Sequence, residues 1–311
     1  MDISTFIPMI AFGLDLALGD PQGWPHPVRW IGWLAGRLEG AGRLLGAGGP
    51  SKAFGTGAAL ALLVLVVLGY GLATFLPVLG WFAALYLAYA GLALGCLLKE
   101  GRRVAALLDA GELEQARSAL ALLVSRETEA LDEEGCRRTL AETLSENFND
   151  GFVAPFFWLC LTGPLGLWLY KTVSTLDSMW GYRTEEYKNL GWFAAKADDL
   201  LAWIPARISF VVLVFCGGLL GLDWRAALRG APADARTMES PNAGWPMAAA
   251  AWLCDAGMGG EAVYFGKPKH KPELGPTGRA WTTLTLQALQ RLLLWSAVFF
   301  ALLGQLLIVV V

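Results

Sequence analysis

The residues able to do chemistry are few and fall in clusters. Glu142, Glu146 and Asp150 recur every fourth position just before the chain turns apolar at Gly151. A helix there carries all three carboxylates on one face. Like charges at that spacing oppose a helix by roughly 0.2 to 0.5 kcal/mol per pair. Two readings stay open: a solvated face relieved by Arg138, four residues before Glu142, or a carboxylate cluster beside a cation-binding cavity. In the next dense stretch, Tyr170 to Arg183, Lys171 and Arg183 flank a hydroxyl-rich turn whose one carboxylate is Asp177. Asp198-Asp199 and then Arg207 follow at the lip of an apolar run. Ionisable groups in that position are costly to bury and are functional candidates by default. Snorkelling to headgroups would account for Arg207 but not for the aspartate pair. Adjacent helical side chains diverge by about 100°, so both aspartates reach one ion only on irregular backbone.

Two motifs rich in Pro and Gly add polar groups on rigid turns. Gly19-Asp20-Pro21-Gln22-Gly23-Trp24-Pro25-His26-Pro27-Val28-Arg29 locks a histidine between prolines, and Ser240-Pro241-Asn242-Ala243-Gly244-Trp245-Pro246 presents an asparagine. His26 reads either as a base or ligand or as a loop hydrogen bond. With only His26 and His270, a three-histidine zinc site is ruled out, and any metal must be held by carboxylates, which suits magnesium. Cys96, Cys136, Cys160, Cys216 and Cys254 form no CxxC pair and read as packing residues. The Gly259-Gly260 to Gly266-Lys267 segment fails as a P-loop, since five residues separate Gly260 from Gly266 and Pro268 stands where Ser or Thr is needed. Gly40, Gly42 and Gly46 lack the spacing of a dinucleotide fingerprint.

The elements that must position these groups are membrane helices. Charged residues make up 16% of the 311 and hydrophobic ones 55%, against about 25% charged in ordinary soluble domains. A net charge of -3 offers a nucleic acid no electrostatic footprint. Residues 53–98 carry no ionisable acid or base, room for two spans of roughly 20 residues and a turn. Pro77 and Gly80 place that turn between helices near 57–75 and 80–98. Another uncharged run follows Arg291 to Val311. Residues 3–19, 151–170 and 200–222 are further apolar segments, the second broken by Pro155 and Gly163-Pro164 and therefore a broken or re-entrant helix. Residues 3–19 do not read as a cleavable signal, because Asp2 and no Lys or Arg precedes them.

The expected fold is therefore all-α, a single membrane-embedded domain over 1–311 with five or six membrane segments. An amphipathic helical hairpin over 100–150 is inserted between them, with Gly111 at its bend and Leu113, Ala116, Leu120, Leu123 and Val124 at helical spacing. If all six segments span, 19 of the 24 basic residues share one side, which the positive-inside rule makes cytoplasmic. Residues 171–199 would then face away, unless 151–170 is re-entrant or the motif folds back.

Taken in order, GDPQGWPHPVRWIG, SRET, ETLSENFNDGFVAPFF, YKTVSTLDSMWGY, ADDLLAWIPARIS, SPNAGWP and MGGEAVYFGKPKHKPELG resemble the CobD or CbiB family, adenosylcobinamide-phosphate synthase. The resemblance runs from Asp15 to Gly275. It implies a multi-pass enzyme of the bacterial or archaeal cytoplasmic membrane, acting late in vitamin B12 assembly with its site facing the cytoplasm. The reaction implied is amide formation between a propionate of adenosylcobyric acid and aminopropanol or its phosphate, with ATP as co-substrate and Mg2+ as cofactor. Membrane lipid and other cobalamin-assembly enzymes are the implied partners, and nucleic acid is not.

Amide formation from a carboxylate needs an activated acyl group, most simply an acyl phosphate, and cations to neutralise its oxygens. On that reading His26, Asp177 and Lys171 are catalytic, His26 as base for the amine. Glu146, Asp150, Asp198 and Asp199 are the magnesium set. Asp20 and Arg29 fix the His26 loop, and Arg183 and Arg207 hold phosphate or carboxylate. Asn147 and Asn242 orient substrate amides, and Trp180 and Trp245 contact the corrinoid. The sequence departs from the family pattern at Ser174 and Ala202, where Asn is usual, and at Met247, where an acid is common. A rival reading from another class is a transporter or corrinoid-binding scaffold whose carboxylates relay cations without bond formation.

Overall fold

The computed structural model describes residues 3–21, 23–44, 50–182, 184–264 and 266–310. A 3-10 turn, Ile3–Phe6, leads into α1 (Ile7–Leu18), then α2 (Pro27–Leu44), α3 (Lys52–Ala73), α4 (Pro77–Ala90), α5 (Leu94–Asp109), α6 (Leu113–Ala121) and α7 (Glu133–Phe148). A π-helical turn, Asn149–Val153, joins α7 to α8 (Ala154–Trp180), followed by α9 (Trp192–Leu201), α10 (Trp203–Leu219), α11 (Trp224–Ala235) and α12 (Gly244–Leu253). The hairpin β1 (Met258–Tyr264) and β2 (Lys267–Leu274) precedes α13 (Thr283–Val310). By length and composition four helical stretches are long and apolar enough to cross a membrane: Lys52–Ala73, Pro77–Asp109, Glu133–Trp180 and Thr283–Val310. Trp192–Leu201 with Trp203–Leu219 makes a fifth if taken as one broken span, and the first apolar segment is a shorter helix, Ser4–Leu18. The chain is a helical membrane protein.

Local sequence explains most boundaries. Ser51, Asp132 and Asp223 cap α3, α7 and α11 by accepting the N–H of Phe54, Gly135 and Ala226 at 3.2, 2.8 and 2.9 Å. Pro27 and Pro77 open α2 and α4, where a missing N–H costs nothing. Within α8 the expected break is present: Gly163, at φ 74°, precedes Pro164. The 80–98 helix is instead interrupted at Gly91, whose backbone packs so closely on Leu167 that no side chain fits. The last helix begins eight residues before Arg291 rather than after it.

One expectation is corrected. Residues 171–180 form no turn; α8 continues through them. The hydroxyls of Thr172, Thr175 and Ser178 donate to the carbonyls of Trp168, Lys171 and Ser174, four residues back. Hydroxyls that could compete with the helix are thus absorbed by it. The all-α class holds, with one small addition: β1 and β2 pair antiparallel with a bulge between Met258 and Gly260.

The chain divides into two compact units, 1–93 with 154–202 and 303–311, and 94–153 with 203–302. In the first, Ala35 of α2, Ala58, Ala59 and Leu62 of α3, Leu176 and Trp180 of α8, and Ala194 of α9 form one buried cluster. Gly55 lets α3 touch the Leu190 carbonyl, a contact any Cβ would block. In the second, α12 buries an alanine run, Ala248 to Ala251, and Trp252 lies over Gly230 of α11 while its indole N–H donates to Asp234 at 2.7 Å. Here Gly111, at φ 77°, lies between α5 and α6.

Candidate active site

In the first unit the Gly19–Pro27 loop is anchored from α4. Tyr86 donates its hydroxyl to the Pro25 carbonyl, and Tyr89 donates to Gly19 at 2.5 Å. Neither tyrosine stood out as functional in the sequence. The available signal was two hydroxyls, i and i+3 apart, in an apolar span that offers them no partner. The anchored loop presents His26, mostly buried, with its Nε2 at 3.9 Å from Asp20 Oδ1, while Arg29 lies 3.9 Å from the other Asp20 oxygen. Both separations exceed a hydrogen bond. The ring lies edge-on to Trp168, whose own indole N–H is spent on the Leu87 carbonyl at 2.8 Å. Burial pulls the imidazole below its usual pKa of 6.5. Asp20 and the Ala90 carbonyl oppose that shift, and Arg29 and Lys171 reinforce it. At pH 7 His26 is therefore neutral, with its basic form held among cations. Of the residues singled out in the sequence, Asp20, His26, Arg29 and Lys171 form this group.

Asp177 and Asp199, in the same unit, are near enough to interact electrostatically. Asp177 packs against the Gly181 backbone, and Lys196 approaches Asp199 at 3.7 Å. The helix α9 is regular through Asp198 and Asp199, so the two diverge by about 100° and the irregular backbone needed for a shared ion is absent. Trp180 is fully buried in the α2–α3–α8–α9 cluster, a packing position that leaves it no surface for a corrinoid. Arg183 lies outside the described residues.

The second unit builds a different group. Arg207 on α10 donates to Asn242 Oδ1 at 2.7 Å and lies between the rings of Trp203 and Trp245, 4.5 and 5.0 Å from their centroids. A guanidinium stacked on indoles keeps its orientation. Two residues beyond Arg207, Ser209 donates to Asn149 Oδ1 at 2.8 Å, and Asn149 donates to Asp150 at 2.7 Å. Asn147 instead turns back to Thr143, donating to its carbonyl and hydroxyl at 3.0 and 2.9 Å.

The carboxylate face of α7 is neither of the two forms expected. Glu142 is 1% exposed and paired with Arg126, with Lys271 at 3.5 Å and the Gly259 N–H at 2.8 Å. Arg138 is not its partner. Arg126 stacks on Tyr264 and donates to Thr139 at 3.3 Å; burial depresses its basicity, but Glu142, Tyr264 and Glu146 together raise it above the usual value. Neighbouring Glu127 donates its N–H to Val263 and accepts from Gly266 at 2.9 and 2.7 Å, clamping the β-hairpin. Glu146 lies beside this network, within reach of the charges on Lys271, Glu142 and Arg126. Among the described residues no group of three or more His, Cys, Asp or Glu gathers as a metal-ligand set. Magnesium, however, commonly takes only one or two protein carboxylates, the rest being water and phosphate oxygen. The Asp177–Asp199 pair fits that mode.

A model of the CobD/Cbib protein family matches residues 8–293. The chain belongs to the CobD/Cbib family. Among its relatives, a Photorhabdus laumondii protein is 38% identical over 278 residues, 86% of each chain. One from Yersinia enterocolitica is 39% identical over 278 residues, 87% of each. One from Pelobacter propionicus is 40% identical over 277 residues, 86% of this chain and 83% of its own. Each bears the name cobalamin biosynthesis protein CobD. No solved structure matches. Two family positions where this chain differs are buried: Ala202 packs with Ala154 and Tyr170, and Met247 lies inside α12. Apolar residues suit both environments better than an unpartnered amide or acid would.

Proposed function

We propose that this protein works in cobalamin biosynthesis, joining a propionate carboxyl of adenosylcobyric acid to aminopropanol or its phosphate, with ATP as co-substrate. Family membership over 8–293 supports the pathway, and the geometry around His26 is the observation that carries the chemistry. The overall reaction converts the carboxylate to an acyl phosphate with release of ADP. The amine then attacks the acyl carbon, the C–N bond forms, the C–O bond to phosphate breaks, and inorganic phosphate leaves.

An amine attacks only once it has lost a proton. His26 is neutral at pH 7, is not tied up by Asp20, and has Arg29 and Lys171 nearby, so it takes that proton while the cations attract the anionic acyl phosphate. Asp20 stands close enough to steady the resulting imidazolium. When bound, magnesium supplies charge neutralisation at phosphoryl oxygens, and Asp177 and Asp199 are the residues that would hold it. Arg207, oriented by Asn242 and two indoles, is suited to a carboxylate or phosphate in bidentate contact. On this reading the protein sits in the cytoplasmic membrane with its nucleotide site facing the cytoplasm.

The test is direct. Detergent-purified protein should convert adenosylcobyric acid and aminopropanol phosphate to the amide, detected by mass spectrometry, only with both ATP and magnesium present. No product under any of these conditions, or equal product without ATP, would sink the assignment.

A further inference from the structure

In the first unit a cavity of about 420 Å³ lies where the Gly163-Pro164 break in α8 meets the link from α3 to α4. The break leaves room there: Gly163 is at φ 74°, and a Cβ on it would meet nothing within 4 Å. Among the described residues no charged side chain lines the cavity; its polar wall is Ser4, Thr5, Tyr70, Thr74, Trp81 and Cys160. The Thr74 hydroxyl is spent on the Tyr70 carbonyl at 2.8 Å. The Trp81 indole N–H is shielded from solvent, and among the described residues neither it nor the Tyr70 hydroxyl has a hydrogen-bond partner. An exposed polar group turns to water, whereas a shielded donor without an acceptor is costly. Thr74 to Leu76 link two helical stretches of membrane-spanning length, Lys52–Ala73 and Pro77–Asp109, so the cavity opens near one surface of the bilayer. Gly80 fixes the link, because its backbone packs on the Thr74 carbonyl with no room for a Cβ. Around it Leu72, Phe75, Val78, Leu79 and Leu161 are 62% to 82% exposed, an apolar surround that suits acyl chains.

We infer that this cavity binds the glycerol-ester region of one membrane lipid. Ester carbonyls sit at the edge of the hydrocarbon core, accept hydrogen bonds and carry no charge. They match two spare donors, an indole N–H and a phenol, on a wall without ions, and Trp and Tyr are the side chains that favour this depth. The volume equals that of roughly fourteen waters, room for a glycerol and its two ester groups. A phosphate drawn inside would be buried without a cation, so the headgroup stays outside while the acyl chains run over the exposed aliphatic surround. The site is independent of the reaction proposed above and shares no residue with the His26 or Asp177 groups.

Native mass spectrometry of the full-length protein, released from nanodiscs into detergent, tests this. One lipid should stay bound per chain. From nanodiscs holding equal parts of ester-linked and ether-linked phosphatidylcholine of matched chain length, the ester form should be retained about fivefold to tenfold over the ether form, the worth of one hydrogen bond. Trp81→Phe keeps a ring but removes the N–H, and should lower both the retention and the ester preference by a similar factor. Ala84→Leu fills the cavity from α4 and should displace the lipid, which keeps the test decisive if Trp81→Phe does not fold. Replacing phosphatidylcholine by phosphatidylglycerol should leave the retention as it was, because the headgroup lies outside. Equal retention of the two linkages, retention unchanged in both variants, or retention set by headgroup charge overturns the inference. So does a protein that keeps no lipid at all, which would make the cavity a water pocket.

Discussion

Two ionic groups in this molecule use the same residue types to opposite ends. At Glu142 the carboxylate is met at close range: Arg126 and Lys271 approach one oxygen, and the Gly259 N–H donates to the other. Around His26 the separations to Asp20 are longer, 3.9 Å from both the imidazole and Arg29. A buried pair with its hydrogen bonds satisfied holds α7, the 125–128 loop and the hairpin in one arrangement, and has nothing left over for a substrate. A loosely held imidazole costs some stability but can accept a proton. The difference lies in how the residues are delivered. Glu142 and Arg126 come from packed elements of one unit, whereas His26 comes from a proline-bounded loop held by two tyrosine hydroxyls.

The contrast breaks most sharply at His26 itself. His26→Ala should lower kcat by about 10²- to 10⁴-fold, the span of a general base, with little change in the unfolding midpoint. Retention of activity would make His26 a loop hydrogen bond and nothing more. Glu142→Ala should do the reverse. It strands two largely buried cations, at a cost on the order of 3–5 kcal/mol, and should appear as a large fall in thermal midpoint in detergent and in yield of folded protein. A Glu142→Ala protein as stable as the parent would mean that the network is solvated after all. The Arg207 group stands between these extremes. Arg207→Lys keeps the charge but loses the planar stacking on Trp203 and Trp245, worth about 0.5–2 kcal/mol. It should raise the KM of an anionic substrate several-fold with kcat little changed, and a KM equal to that of the parent would make the stack an anchor only.

How much of this was legible follows from range. Helices with caps and apolar runs depend on neighbours in sequence, so α3, the Gly163-Pro164 break and the boundary at Gly111 could be anticipated. The 171–180 stretch could not, because its hydroxyls look like turn formers until they are seen bonding back within α8. Partner choice was the other loss. Arg138 sits at the textually favoured i−4 position from Glu142, yet Lys271, 129 residues away, and Arg126 take that role. Spacing on one helix says which side chains share a face, and nothing about what packs on it. The β-hairpin that delivers Lys271 was hidden for a related reason: its second strand, Lys267–Leu274, alternates charge with proline and has no apolar face to betray it. Loop motifs fared better, since Asp20, His26 and Arg29 lie within ten residues and their meeting needed only a tight turn.

The smallest effect is also the finest probe of the open group, and its sign can be worked out. The folded pKa of His26 lies below the unfolded value of 6.5, so between the two the unfolded chain binds more protons. Stability is therefore full above about pH 6.5 and declines as pH falls through that window. Activity should follow the same limb, since only neutral His26 accepts the amine proton, and kcat/KM should fall below pH 6.5 rather than at it. The charges facing the ring set the position of the limb. Arg29→Gln removes a cation and should shift it to higher pH, whereas Asp20→Asn removes the opposing anion and should shift it lower, with Lys171 left in place in both. A pH–rate profile for the two variants decides the matter: limbs that coincide would show that the ring does not sense its neighbours, and the loose geometry at 3.9 Å would then be slack rather than poise.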